Sequence, residues 1–379
     1  MAIQINDSNY IDIVKKLVTD DTVSKKGSNL QNIPASKEGK RVRMAFRPPD
    51  GWYFIGSDLG QIEPRIQAHI MYTQYGDNSM RQIFVDEVDL YTTMAQMVFG
   101  LAEEYCLDKA YDPTGTFQPR KMMKTGVLAK SYGQKPQAFA RKMGVSIDVA
   151  EHFFTEFDRQ FPSFVPMVSD IQEFMRRNGY VETLFGRKRR FPDFKRLEAE
   201  AEKSEQRLIQ LYTQRKQLRN KRVKSERDFR NLERIEKEIE PLAEVRGLVG
   251  YYLRAAFNTV IQGTGADVLK KDMIAIYEAC KKYGWFFPAS IHDEVKIAVP
   301  AKDLTPETIQ LVRDCMTKSV ELSVPLVTDT VIEERWMLEY DPDKEWDYEN
   351  CRPIVKKYDD KGNVLPDFEE RLKQAKGAA

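Results

Sequence analysis

Between Lys195 and Glu240 the chain contains no Gly and no Pro, and Lys, Arg, Glu and Gln fill most positions. A stretch this polar has no broad apolar face to bury, so it can fold only around a narrow apolar seam. Leu197, Ala201, Leu208, Leu211 and Leu218, then Phe229, Leu232, Ile235 and Ile239, recur at roughly heptad spacing. That is a coiled-coil pattern, either one long helix or an antiparallel helical hairpin turning near Asn220. Its middle, Arg215 to Arg230, is strongly basic.

The sequence on either side is of a different kind. Trp52-Tyr53-Phe54-Ile55-Gly56-Ser57-Asp58 is rich in aromatic and β-branched residues and reads as a strand, followed by a helical pattern. From about Asp89 to Phe174 the periodicity is mostly helical, broken at Asp112-Pro113-Thr114-Gly115 and at Phe161-Pro162. Tyr180 to Phe191 reads as a hairpin turning through Phe185-Gly186-Arg187. After Pro241 helical periodicity resumes to Tyr277, and Trp285 to Val299 reads as two strands meeting at Ile291-His292-Asp293-Glu294. A Pro- and charge-rich tail begins near Met337, to be either an ordered strap or a partner-binding segment.

Hydrophobic residues at 42% and charged residues at 31% describe an ordinary globular chain, long enough at 379 residues for two or three domains. No apolar run is long enough to span a membrane as a helix, and Met1 to Tyr10 lacks the pattern of a secretory leader. Four cysteines lie far apart without a CxxC pair, which argues against a zinc site and suits a reducing cytoplasm. The net charge of +1 says nothing for or against nucleic acid, because distribution matters more than sum.

Three constellations carry chemistry. Asp58 ends one apolar strand, and Asp293-Glu294 sits at the junction of a second strand pair. Taken singly, either aspartate reads more simply as a strand-end or turn residue. Brought together, they supply the oxygen ligands that a pair of Mg²⁺ ions needs for in-line phosphoryl displacement. Arg120, Lys124, Leu128 and Tyr132 are each four apart and form one helical stripe, cationic at its start and aromatic at its end. Such a stripe can hold a triphosphate at one end and a sugar and base at the other, or be a solvated basic face running into a core contact. Arg254, Asn258 and Gln262 form a second ladder that can read groove acceptors along a duplex, or be a polar exposed face.

Order and content together are more specific than any one of these. Asp58-Leu59-Gly60-Gln61-Ile62-Glu63-Pro64-Arg65 resembles the first motif of the family A DNA polymerases. Arg120 to Gly133 is similar to their fingers helix, and His292-Asp293-Glu294 to their third motif. Ser28-Asn29-Leu30-Gln31-Asn32-Ile33-Pro34 and Gly179 to Arg187 resemble two further segments, so the likeness runs in order from about residue 22 to Trp336, apart from the charged insert.

The resemblance implies that Asp58 and Asp293 bind two Mg²⁺ ions (Mn²⁺ can substitute), with the Leu59 carbonyl as a further ligand and Glu294 as a nearby carboxylate of secondary importance. Glu63, flanked by Gln61 and Arg65, is implied to exclude a ribose 2′-hydroxyl and so to favour dNTPs. Arg120 and Lys124 are implied to bind the triphosphate, Lys124 also to protonate the leaving pyrophosphate. Tyr132 and Gly133 match the templating-base pocket, Arg254, Asn258 and Gln262 the primer-template minor groove, and His292 the primer end. Three positions depart from the family pattern. Leu128 replaces an aromatic residue, Tyr91 stands where a triphosphate-contacting His is frequent, and Thr22-Val23-Ser24-Lys25-Lys26 lacks a Gly-Arg pair.

The expected fold is α+β: a right-hand palm, mainly an antiparallel sheet, with helical fingers, the thumb largely absent, and a helical insert. The segments are 1–85 (N-terminal remnant and first palm segment), 86–192 (fingers), 193–247 (insert), 248–340 (second palm segment) and 341–379 (tail). The expected activity is template-directed addition of dNTPs to a primer. A separate polypeptide carrying thumb and 3′→5′ exonuclease is the expected partner, in a split enzyme of phage type working in the host cytoplasm; a fragment of a longer chain is the competing explanation. The insert is either solvated decoration or a contact for DNA phosphates or that partner. A catalytically inactive DNA-binding or assembly subunit and a single-subunit RNA polymerase are the alternatives. Retention of the metal and phosphate ligands together argues against the first, and Glu63 against the second.

Overall fold

The structure, a computed structural model, describes residues 33–34, 37–107 and 118–377. The Thr22 to Lys26 stretch and most of the segment beginning at Ser28 therefore lie outside the described residues, as does the break at Asp112 to Gly115. The chain divides into two compact units, one running to Ile62 and resuming at Val268, the other Glu63–Asp267.

In chain order the elements are α1 (Lys37–Arg43), β1 (Trp52–Leu59), α2 (Ile62–Tyr75), α3 (Ser79–Val85), α4 (Leu90–Phe99), a single turn at Glu103–Cys106, α5 (Pro119–Ser131), α6 (Pro136–Met143), α7 (Ile147–Gln160) and α8 (Phe164–Asn178). There follow β2 (Tyr180–Glu182), β3 (Lys188–Arg190), α9 (Phe194–Asn220), α10 (Glu226–Tyr283), β4 (Phe286–Ile291) and β5 (Glu294–Pro300). The last are α11 (Pro306–Thr317), β6 (Thr328–Glu333), β7 (Glu339–Tyr340), β8 (Trp346–Asp347), β9 (Arg352–Pro353) and α12 (Phe368–Gly377).

The first unit is built on an antiparallel sheet of order β4-β5-β1-β6-β7. The strand expected from Trp52 to Asp58 is its centre, and the two strands expected around Asp293 are β4 and β5. Ile55 and Leu59 are buried because α11 packs on β1 and β6. The tail is an ordered strap on this unit. Trp346 packs edge-on to Tyr53 at 5.0 Å, the Tyr53 hydroxyl donates to the Cys351 carbonyl at 3.1 Å, and Lys40 lies over the Tyr358 ring at 4.6 Å.

Asp272 on α10 is fully buried in this unit and accepts a hydrogen bond from the Ser319 hydroxyl. Burial pushes its carboxyl up to about 7, the serine bond opposing. An acid whose folded pKa is raised makes the folded state take up protons, so its contribution to stability is lost as pH rises from about 4 to about 7. Asp272→Asn, which keeps the acceptor and loses the charge, is expected to stabilise the metal-free protein by about 1–3 kcal/mol at pH 8 and not at all below about pH 4. Urea unfolding at both pH values measures the difference, and an equal effect at both refutes the assignment.

The second unit is mostly helical. Its core is a group of aromatic rings: Phe139, Phe153, Phe157, Phe161 and Phe164 are all buried, Phe139 and Phe157 packing on Phe153, and Phe161 and Phe164 on Phe157, with centroids 4.9 to 6.2 Å apart. Phe153 and Phe157 lie one turn apart on α7, capped by Ser146, whose side chain accepts from Val149 N at 3.3 Å. Gly126 lets α5 sit on this stack, since a Cβ there would come within 2.8 Å of Phe153 Cζ.

The charged insert is the helical hairpin rather than one helix. Helices α9 and α10 are joined through Lys221 to Ser225, where the Asp228 carboxylate accepts from Lys221 Nζ at 2.7 Å and Ser225 N at 3.0 Å. Those hydrogen bonds hold the Asp228 carboxyl down to about 2. Leu208, Leu211, Ile235 and Ile239 form the seam, with Tyr212, Leu218, Leu242 and Ala243 against it. Phe229, placed on the seam from its spacing, is instead 58% exposed, because the tight turn sets α10 in a register that carries it outward. Pro241 does not end the helix: α10 runs through it for 58 residues and carries Arg254, Asn258 and Gln262 as well.

Candidate active site

In the first unit, three strands converge on the nominated metal ligands. Asp58 lies directly across from Glu294 on β5 and from Asp329 on β6, so three carboxylates share one row of the sheet. Like charges in cross-strand register destabilise a sheet, so such a row has to be explained by something other than folding. His292 and Asp293 form the turn between β4 and β5, His292 with φ +57°, a conformation that costs a non-glycine residue energy. The Asp293 carbonyl accepts from Leu59 N at 3.3 Å, which ties this turn to the end of β1. Gly60 N donates to the Val327 carbonyl at 2.9 Å, and a Cβ on Gly60 would approach Val327 Cγ2 to 2.8 Å, so only glycine allows the chain to leave β1 this way. His292 is exposed.

Burial, and then the charges of Asp293, Glu294 and Asp329, push the Asp58 carboxyl up to about 7. Its Oδ1 is buried and has no hydrogen-bond partner among the described residues. No grouping of three His, Cys, Asp or Glu side chains that could hold a metal occurs among the described residues. A cation held by Asp58 and Asp293 would thus take its remaining ligands from the main chain, water and substrate, which suits Mg²⁺ and not a metal that demands a closed cage. The residues fit the ion.

Proton and cation compete for the same oxygen. Mg²⁺ affinity is expected to rise about tenfold per pH unit below pH 7 and to level off above it. Titration calorimetry at pH 6, 7 and 8 measures this, and a flat profile would remove Asp58 as a ligand.

The second unit gathers the residues nominated for nucleotide and duplex. The Tyr132 hydroxyl donates to Glu63 Oε1 at 3.0 Å, while Gln262 Nε2 donates to the same oxygen at 3.1 Å and to the tyrosine hydroxyl. Burial and the Glu63 charge push the phenol up to about 12, so it stays a donor at working pH. Arg120 grips Asp89 with Nε at 3.0 Å and Nη2 at 2.9 Å, and Asp89 also caps α4 by accepting from Thr92 N at 2.7 Å. Burial raises the Asp89 carboxyl, but Arg120 and Thr92 outweigh it and hold it below the usual range. Tyr91 lies buried beside the Arg120 guanidinium, 5.7 Å from ring centre to Cζ. Lys124 is exposed one turn along α5, Leu128 half-buried a turn further.

Gly133, with φ +69°, lies against Arg254, whose Cγ and Cδ would be 3.1 Å from any Cβ there. Asn258 and Gln262 line a groove with Arg187, Lys188, Arg189 and Arg190 from the β2–β3 hairpin. Arg187 is fixed by Asp267 at 2.7 Å and the Gly263 carbonyl at 2.8 Å, and Arg189 by Thr259 at 3.0 Å. The sequence reading named that hairpin without nominating its basic residues. The signal available was the run of four consecutive cations, Arg187 to Arg190. Arg65, which flanks Glu63, is only 6% exposed and lies over the Phe84 ring at 4.5 Å. Gln61, with φ +54°, makes the bend between β1 and α2.

Residues 14–338 match the model of DNA polymerase family A. The thermostable DNA polymerase I of Thermus filiformis is 29% identical over 316 residues, covering 83% of this chain and 31% of that protein. The DNA polymerase I of Chloroflexus aurantiacus is 28% identical over 318 residues, or 27% of its length. This chain thus spans about a third of the length of the relatives it matches. Among solved structures, the POL domain of Pol1 from M. smegmatis, in complex with DNA primer-template and dNTP, aligns with TM-score 0.59 at 24% identity, over 81% of this chain and 44% of that one. One family model covers Asp58 and Asp293, the α5 stripe and the α10 ladder in a single span, and the chain belongs to DNA polymerase family A.

Proposed function

We propose that this chain catalyses template-directed addition of dNTPs to a primer 3′ end, using two Mg²⁺ ions. The observation that carries the reading is the half-buried Asp58 carboxylate, whose Oδ1 is buried without a hydrogen-bond partner, in register with two further acids and tied through Leu59 to the Asp293 turn. When bound, the ions neutralise charge on the attacking and leaving oxygens. Asp58 and Asp293 hold them, with the Leu59 carbonyl as a further ligand. Arg120 and Lys124 bind the triphosphate, Arg120 by exchanging the Asp89 carboxylate for phosphate oxygens and Lys124 as a point charge and proton donor to the leaving group. Glu63, fixed by Tyr132 and Gln262, occupies the space of a ribose 2′-hydroxyl. Tyr132 and Gly133 bound the templating pocket, Arg254, Asn258 and Gln262 follow the minor groove beside the Arg187 to Arg190 hairpin, and His292 contacts the primer end. Phosphoryl transfer asks for this positioning and charge neutralisation, with no covalent help from the protein.

Primer extension by the purified chain with Mg²⁺ and all four dNTPs, beside an Asp58→Ala/Asp293→Ala control, tests the reading. Extension lost in the control supports it, and extension with rNTPs in preference to dNTPs overturns it. A separate thumb- and exonuclease-bearing polypeptide remains part of the proposal. Pull-down from the native source with tagged chain decides that part, and recovery of no such subunit removes it.

A further inference from the structure

Behind the row of acids lies a buried cation that phosphoryl transfer does not require. Alternate residues of a strand share a face, so Gly56 and Phe54 follow Asp58 back along β1 on the side that carries Glu294, Lys296, Asp329, Val331 and Glu333. Gly56 pairs with Lys296, one pleat behind the pairing of Asp58 with Glu294. The Lys296 side chain is 4% exposed and forms ion pairs with Glu294 Oε1 in front and with Glu333 Oε2 behind, the latter at 2.7 Å. Glu333 is itself fully buried and is fixed by the Met337 N–H at 2.9 Å from Oε1.

The ammonium occupies space that only a glycine leaves. A Cβ on Gly56 would lie 2.6 Å from Lys296 Nζ and 3.2 Å from Glu294 Oε1. Burial opposes the lysine charge, but the Glu333 and Glu294 charges prevail and keep it protonated. Removing one member of a buried ionic group leaves an uncompensated charge, so an arrangement with three fitted parts is a costly way merely to fill a core.

We infer that Lys296, seated over Gly56 and anchored by Glu333, is a positioning residue that holds the Glu294 carboxylate back from the Asp58–Asp293 pair. This rests on the metal-binding reading above. The ion is then held by the two aspartates and keeps its other positions for water and phosphate. Free of the lysine, Glu294 is one strand across from Asp58 and able to turn toward the same ion. A third carboxylate would bind the ion more tightly and take a position that substrate needs.

Binding of Mn²⁺ to the full chain without DNA or nucleotide, read by electron paramagnetic resonance, tests the inference independently of catalysis. Lys296→Met/Glu333→Gln removes the clamp without stranding a buried charge, and is expected to bind Mn²⁺ about tenfold more tightly. Adding Glu294→Gln should return the affinity to that of wild type, which a general loosening of the sheet would not do. Unchanged affinity in the double variant, or failure of the third substitution to reverse the gain, overturns the inference. Should the double variant not fold, Glu294→Gln alone decides. A carboxylate already held away changes Mn²⁺ affinity by less than about threefold, and a tenfold loss would make Glu294 a ligand and end the proposal. Asp58→Asn separates the two levels: if it leaves Mn²⁺ affinity intact, the metal site itself is wrong; if it abolishes binding, the clamp is judged on its own variants.

Discussion

Asp58→Asn should lower the rate of primer extension by a factor on the order of 10³ or more, equivalent to about 4 kcal/mol of transition-state stabilisation lost with an ion misplaced. Asparagine preserves the size of the side chain and its place at the end of β1, but it cannot neutralise a divalent cation. The same change relieves repulsion along the row formed with Glu294 and Asp329, so the folded state should be no less stable than wild type. Loss of activity together with a maintained or raised melting temperature is therefore the expected pair of results. Single-turnover extension and thermal unfolding on the same preparation measure both. Activity within tenfold of wild type would mean that the ions, if used at all, are held elsewhere.

Glu63→Ala should weaken discrimination against ribonucleotides by about 10²-fold, through faster rNTP incorporation more than slower dNTP incorporation. The carboxylate is not free to retreat from a 2′-hydroxyl, because Tyr132 and Gln262 both donate to it, at 3.0 and 3.1 Å. Tyr132→Phe removes one of those bonds and keeps the ring, so it should relax discrimination by a smaller factor. The ratio of kcat/KM for matched dNTP and rNTP in single-nucleotide incorporation is the measure. If Glu63→Ala leaves that ratio unchanged, sugar selection lies with other residues and the RNA polymerase alternative regains weight.

The parts that could be read from sequence are those encoded within one element. Strand β1 announces itself by aromatic and β-branched residues, α5 by its four-residue stripe, and the α9–α10 hairpin by its seam and lack of breakers. What could not be read depends on three strands falling into register. Lys296 in isolation is one charged residue in the apolar run from Val295 to Val299, and nothing local says that Glu333 lies across the sheet to meet it. The burial of Arg65 was not legible locally, because it follows from how α2 is packed, with Ile62, Ile66, Ala68, Ile70 and Met71 all buried around it. Phe229 failed because the turn at Lys221 to Ser225, and not heptad counting, sets where α10 begins. The Arg187 to Arg190 run was visible as charge, but its place beside Asn258 and Gln262 is a tertiary fact.

One long helix carries the insert and the Arg254, Asn258 and Gln262 ladder on the same backbone. At a rise of about 1.5 Å per residue, Asn258 stands roughly 48 Å along the axis from the start of α10. In mechanical terms that is a crank. A twist applied to the tip is delivered to the ladder as a rotation of its polar face, because the helix is continuous and no loop lies between to absorb it. Pro241 is where the shaft is softest, since its ring deprives the helix of one backbone hydrogen bond. Whatever grips the tip thus acquires purchase on a surface it never touches, and the proline sets how much of that torque arrives.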